Sequence, residues 1–304
     1  MQDAAALSSG KGHRDENFPV ASFLIHPRHR DVVLAFYRFA RSADDVADNA
    51  AADPETKLIL LDEMRRTLKG EADTAAEAQV LRGIIRARGL DAQHGLDLLD
   101  AFSLDVTKLR YRDWDDLMDY CRLSAMPVGR FVLDVHGEDR STWVASDALC
   151  AALQVINHLQ DCAKDYRALD RVYIPLDRFA AAGIGPDALD APSSSLKLRA
   201  IIVQLAKEAS ALLQKAKPFA GQIRDRRLGL EVTVIQRLAE DLCRRLTSRD
   251  PLSDRVHHSK AEFALLALGA ALRFKFARPF SSRLEGEVGP KGGKGIPTGS
   301  DSVP

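Results

Sequence analysis

Residues 145–168 read ASDALCAALQVINHLQDCAKDYRA. Apolar residues recur through them at three- and four-residue intervals, the period of an α-helix with a buried face. At 100° per residue, Gln154, Asn157, Asp161 and Asp165 fall within about 80° of one another. Leu153, Val155 and Ile156 flank that stripe. A helix with apolar flanks and a line of oxygen-bearing side chains belongs inside a helical bundle rather than on its surface.

The same period extends over 28–49, 55–69, 74–88, 91–108, 114–137, 195–216, 228–248 and 257–278. Breakers separate these stretches: Asp53-Pro54, Gly70, Gly89, Gly137, Pro175, Gly183, Gly185-Pro186, Pro192, Pro218 and Pro251. Alternating strand patterns are nearly absent, and Arg171-Val-Tyr-Ile-Pro175 is the single short β-like piece. The reading is an all-α bundle of roughly nine to eleven helices. No linker or composition shift divides it, so residues 1–280 are expected to form one domain. The stretch 281–304 is rich in Gly, Pro and Ser and is expected to be a disordered tail. Its GPKGGKG is not a phosphate loop, because Gly295 stands where Ser or Thr must follow Lys294, with no strand before it and no helix after.

Composition narrows the function. The chain has 304 residues, 46% hydrophobic and 28% charged, which suffices for a sizeable core. Lys+Arg and Asp+Glu are equal at 43, so no overall field favours nucleic acid or an anionic bilayer. Cys121, Cys150, Cys162 and Cys243 form no CxxC pair and fit a reduced cytoplasmic protein. No apolar stretch follows the N-terminal charges, so no secretory signal is expected. The longest apolar run, Phe263–Leu272, is ten residues, short of the ~18–20 that span a bilayer.

A second acidic stripe lies in Tyr37-Arg-Phe-Ala-Arg41-Ser-Ala-Asp44-Asp45-Val-Ala-Asp48. Tyr37, Arg41, Asp44 and Asp48 share about 60° of one helix face, with Asp44 and Asp48 one turn apart. Asp45 lies about 100° from Asp44 and reads as a solvated neighbour. Carboxylates in a bundle core repel each other and lose solvation. A divalent cation removes both penalties. Magnesium prefers hard oxygen ligands and completes its shell with water and substrate phosphate oxygens. Two such faces opposed across a cavity suit a diphosphate leaving group. A lone pair of this kind is usually just a solvated face; two, each with polar partners in phase, favour metal. His158 reads as a satisfied helix histidine, and His26/His29 and His257-His258 lack an acid at ligand spacing and are assigned no metal.

These blocks carry a family resemblance. Tyr37-x-x-x-Arg-x-x-Asp-Asp-x-x-Asp48, Tyr120-Cys-x-x-x-Ala125-x-x-Val128-Gly129, and Gln154-x-x-Asn-x-x-x-Asp-x-x-x-Asp165 followed by Arg171-Val-Tyr-Ile-Pro175 resemble the squalene and phytoene synthases. Order and spacing agree over about residues 16 to 275. Glu16–Ser22, Asp105–Tyr111 and Asp119–Ser124 look like the bacterial hopanoid-pathway branch called HpnC, a branch of hydroxysqualene synthases. Two departures stand out: Asn17-Phe-Pro-Val-Ala-Ser22 replaces the usual His-Ser-x-Ser-Phe block, and Lys164 occupies an acidic position.

The resemblance implies an isoprenoid-synthase-type helical bundle with a central cavity. It implies that Asp44, Asp48, Asp161 and Asp165 bind Mg2+, that Gln154 and Asn157 orient metal waters or the intermediate, and that Arg41 and Arg171 clamp the departing diphosphate. Tyr37, Tyr120 and Tyr173 would shape the cavity, where aromatic faces favour a passing carbocation. Asp105 would be a polar cavity residue, and Lys164 would either contact diphosphate or point outward. The expected reaction converts presqualene diphosphate to hydroxysqualene without NADPH. Hand-over from a presqualene diphosphate synthase and a weak peripheral contact with the inner face of the membrane are further expectations, with no nucleic acid involved. The rivals are a conventional squalene or phytoene synthase, an all-α nucleoside triphosphate pyrophosphohydrolase, and a non-catalytic assembly scaffold.

Overall fold

A computed structural model describes residues 25–277; the 281–304 stretch and the Glu16–Ser22 block lie outside them. The chain begins with α1 (Pro27–Asp48), α2 (Pro54–Lys69), α3 (Ala76–Arg88) and α4 (Gln93–Thr107). Asp53 caps α2 by accepting the Thr56 amide at 2.9 Å, and Gly70 closes it at φ 87°, a left-handed turn that glycine adopts without strain. These four helices and Phe131 build one apolar cluster, with Phe39, Leu61, Met64 and Leu99 at its centre.

The single periodic stretch 114–137 is two helices, α5 (Trp114–Ser124) and α6 (Met126–His136). The break falls at Ala125, directly before the first turn of α6 that contains Pro127, a residue tolerated at a helix start and not in a helix interior. Next come α7 (Trp143–Leu169), α8 (Leu176–Ala182), α9 (Leu196–Ala216), the one-turn α10 (Phe219–Gln222), α11 (Arg226–Ser248) and α12 (Lys260–Ala277). Twelve helices are thus described, with two 3-10 turns at Arg140–Thr142 and Pro186–Asp190. The three helices beyond the nine periodic stretches come from the split of 114–137 and from α8 and α10, both too short to show a period.

The long helix α7 packs against α6, α9 and α11 and centres the second apolar cluster, through Ala152, Val155, Ile156 and Leu159. Gly129 lets α6 approach α7 closely, since a Cβ there would lie 2.5 Å from Ser146 Oγ and 2.6 Å from Cys150 Sγ. The β-like piece after α7 forms an isolated parallel bridge, Arg110↔Val172. The Val172 amide donates to the Leu109 carbonyl at 2.9 Å and the Leu176 amide to that of Tyr111 at 2.8 Å. This bridge brings Tyr111 and Tyr173 together. All four cysteines are free thiols. Among the described residues no helix is long and apolar enough to cross a membrane. The outer face of α12 nevertheless exposes Leu265, Leu268 and Leu272, an apolar stripe that the uninterrupted run in the sequence conceals.

Candidate active site

A polar cavity of about 320 Å³ lies between α1, α4, α5 and α7. Tyr37, Arg41, Asp44 and Asp48 come to it from α1, and Gln154, His158 and Asp165 from α7; Asp105, Tyr120, Arg171 and Tyr173 complete the wall. The two stripes therefore face one space. Their charges feel one another: Asp165 is raised to about 7 by burial first, then by Asp161, with Asp48 across the cavity contributing. Asp44 is likewise raised to about 7 by burial and by Asp48, against the pull of Arg41. Carboxyls held this far above their ordinary range are short of positive charge. All of them offer hard oxygen, the donor set that fits magnesium.

Asn157 and Asp161 share the α7 face but do not line this cavity; Asp161 instead has His257 Nε2 3.9 Å from its Oδ1. Lys164 is exposed on α7 and lies outside the lining, so it points outward in this structure. Asp45 is not solvated. It is 6% exposed and receives Arg41 Nη2 at 2.6 Å, while Arg41 Nη1 reaches Asp44 at 2.8 Å.

Arg171 differs from the expected clamp. Its Nε donates to the Asp105 carbonyl at 2.9 Å, Nη1 to Asp48 at 2.5 Å and Nη2 to the Ala47 carbonyl at 3.0 Å. The guanidinium is spent on holding the end of α1 against α4, and it fixes the Asp48 carboxylate in the wall. Asp105 is 5% exposed and accepts the Tyr120 hydroxyl at 2.9 Å and the Tyr173 hydroxyl at 2.8 Å. Burial raises it to about 6, offset by Arg171 and by both phenols. The phenols are in turn raised by burial and by the Asp105 charge, so both remain protonated.

Two residues escaped the sequence reading. His158 is not a satisfied helix histidine: it lines the cavity, stacks on Tyr173 at 3.5 Å between centroids, and its Nε2 has no hydrogen-bond partner among the described residues. Burial lowers it to about 3, so the ring is neutral. Tyr111 stacks on Tyr173 at 5.5 Å. With Tyr37 and Tyr120, four of the five tyrosines of the chain gather here.

A second cavity, about 270 Å³ and apolar, runs between α1, α6, α7 and α11. Tyr37 and Ala40 line both cavities, so the acidic chamber and a hydrocarbon-compatible one lie side by side at that point.

The chain as a whole is similar to known proteins. The family model for squalene/phytoene synthase matches residues 12–262. The hydroxysqualene synthase of Rhodopseudomonas palustris is 55% identical over 270 residues, covering 89% of this chain and 92% of that protein. That of Zymomonas mobilis is 56% identical, covering 88% and 91%. The crystal structure of squalene synthase HpnC from Alicyclobacillus acidocaldarius superposes with TM-score 0.67 at 30% identity, over 79% of this chain and 90% of that one. A dehydrosqualene synthase structure, at 20% identity and TM-score 0.74 over 90% and 97%, shares the fold. The chain belongs to the squalene/phytoene synthase family.

Proposed function

We propose that this protein is a hydroxysqualene synthase, which ionises presqualene diphosphate and lets water capture the rearranged carbocation. The observation that carries the reading is the pairing of an acid-lined chamber with an apolar one, side by side at Tyr37 and Ala40. A substrate with a diphosphate head and a long hydrocarbon body needs both. The name carried by relatives above half identity supports the choice of product.

Asp44, Asp48, Asp161 and Asp165 are the proposed magnesium ligands, with Gln154 and Asn157 orienting bound water. Held by these residues, magnesium would supply charge that neutralises a departing diphosphate. Arg171 keeps Asp48 in position, and Arg41 balances the charge of Asp44 and Asp45. Tyr120 and Tyr173 each donate a hydrogen bond to Asp105, which leaves phenolic lone pairs to accept a hydrogen bond from water. That water forms the new carbon–oxygen bond; its proton passes to a phenol oxygen as the phenol gives its own to Asp105. Tyr37, Tyr120, Tyr173 and neutral His158 line the chamber, and an aromatic wall suits a passing cation. The reaction releases diphosphate by carbon–oxygen cleavage without hydride, so it is assigned to the lyases, with no NADPH. The exposed leucines of α12 support a weak peripheral contact with the cytoplasmic face of a membrane, beside a presqualene diphosphate synthase that hands over its product.

Turnover of presqualene diphosphate in ¹⁸O-water, with and without NADPH, tests this. Hydroxysqualene carrying solvent oxygen is expected with magnesium alone. Squalene formed only with NADPH would overturn the reading in favour of a conventional synthase.

A further inference from the structure

One turn beyond the apolar cavity, three ligand-type side chains converge from three helices. Val33, Val132 and Leu228 line that cavity. His29 sits one turn before Val33 on α1, His136 one turn after Val132 on α6, and Asp225 caps α11 three residues before Leu228. One ligand atom from each lies within 4.8 Å of the others. We propose that His29, His136 and Asp225 form a binding site for a divalent transition-metal ion of the zinc class, separate from the acidic faces of α1 and α7.

The chemistry of the three side chains supports this. His136 Nδ1 lies 2.8 Å from the Val132 carbonyl, a hydrogen bond that places the ring proton on Nδ1 and leaves the lone pair on Nε2. That Nε2 is buried without a hydrogen-bond partner among the described residues. His29 is 6% exposed, and its Nδ1 is also buried and unpartnered. Two orphaned imidazole nitrogens beside a carboxylate are costly unless something fills the gap. Asp225 Oδ1 accepts the Arg227 and Leu228 amides at 2.8 and 3.2 Å, which orients Oδ2 for the cluster. Buried Glu138 accepts the Arg224 and Asp225 amides at 2.9 and 2.8 Å and fixes the backbone beneath it. A backbone carbonyl behind one imidazole and fixed amides behind the carboxylate are the outer support that metal ligands use. Two imidazoles and one carboxylate form a set that selects zinc or cobalt over magnesium. A tetrahedral centre draws its ligand atoms to roughly 3.3 Å apart, given bonds of about 2.0 Å, which side-chain rotation can supply.

One cation competes. Arg28 Nε donates to His29 Nε2 at 2.7 Å. Metal on Nδ1 needs the His29 proton on Nε2, so Arg28 must turn away. Arg28 is exposed and free to do so. A bound ion would staple α1, α6 and the start of α11 across the end of the apolar cavity.

Zinc titration of the full chain against a chromophoric chelator, under saturating magnesium to occupy the acidic faces, tests the site. One zinc per chain is expected, with a rise in Tm, and with visible Co2+ bands on substitution by cobalt. His136→Ala should weaken zinc by at least about 100-fold and abolish both the Tm rise and the cobalt bands. Arg28→Ala, which removes an exposed competitor and leaves the core intact, should tighten zinc several-fold. Zinc affinity unchanged in both variants, or zinc wholly displaced by magnesium, would overturn the proposal.

Discussion

The aspartate pairs of α1 and α7 follow the same spacing and are held in opposite ways. On α1, Arg41 bridges Asp44 and Asp45 and Arg171 holds Asp48. On α7, the ion-pair contact of Asp161 among the described residues is a histidine 3.9 Å away, and Lys164 and Arg171 act on Asp165 without a direct contact. The α1 face is held by direct ion pairs with cations of its own chain, whereas the α7 face is held more loosely. Under the proposed function a diphosphate site would gain from the asymmetry: one wall is preorganised, and the other would bind strongly only with metal held there.

The largest effect should come from removing a carboxylate on either wall. Asp48→Asn and Asp161→Asn should each reduce turnover at least about 10²-fold, with the helical circular dichroism unchanged. Near wild-type activity in the Asp161 variant alone would mean that the α7 face is not a metal wall.

Arg171 sharpens the contrast, because it belongs only to the α1 side. Arg171→Lys keeps a charge but cannot serve Asp48, the Ala47 carbonyl and the Asp105 carbonyl together. Turnover should fall about 10-fold or more, and denaturant unfolding should show a loss of about 2 kcal/mol. Stability unchanged with activity lost would instead place Arg171 on the substrate.

The faces were legible because a helix places i and i+4 residues together, so spacing alone finds Asp44/Asp48 and Asp161/Asp165. His158 was missed through an angular choice. It lies about 100° from Asn157, at the stripe's edge, but only about 40° from Gln154, which faces the cavity. The Asp105–Tyr120–Tyr173 cluster could not be read from any period. It depends on the Arg110↔Val172 bridge, which joins residues 62 apart in the chain. His29, His136 and Asp225 are farther apart still, so ligand spacing within one segment could not reveal them. The single stretch 114–137 concealed a break that Pro127 makes plain once its place at a helix start is considered.

Protonation separates the walls from the rest of the protein. Asp44 and Asp165 hold protons up to about pH 7 in the fold, against an ordinary aspartate value of 3.8. Folding therefore takes up protons between those values, and the stability these two carboxyls contribute falls as pH rises from about 4 to 7. His158 and His29 act in the opposite sense. Lowered by burial to about 3 and about 4, they bind fewer protons folded than unfolded, so their contribution rises with pH up to about 6.5. The slopes oppose, and the difference made by magnesium isolates the walls. The magnesium-induced rise in Tm should grow from pH 5.5 to 8 and level off above about 7.5. A rise independent of pH would show that magnesium binds elsewhere.

Lys164 gives the smallest expected effect and the finest test of the α7 wall. It stands where the resemblance expects an acid, and its charge pulls the Asp165 carboxyl downward. Its side chain is nevertheless solvated and does not line the chamber. Exposed charges a turn or less apart interact weakly, by at most about 1 kcal/mol. Lys164→Ala should therefore leave kcat/KM within about 5-fold of wild type, and Lys164→Glu should tighten magnesium slightly by adding negative charge near Asp165. A loss of about 100-fold or more in Lys164→Ala, appearing in KM for the diphosphate substrate, would place this lysine on the diphosphate. The α7 wall would then carry its own cation, as the α1 wall does.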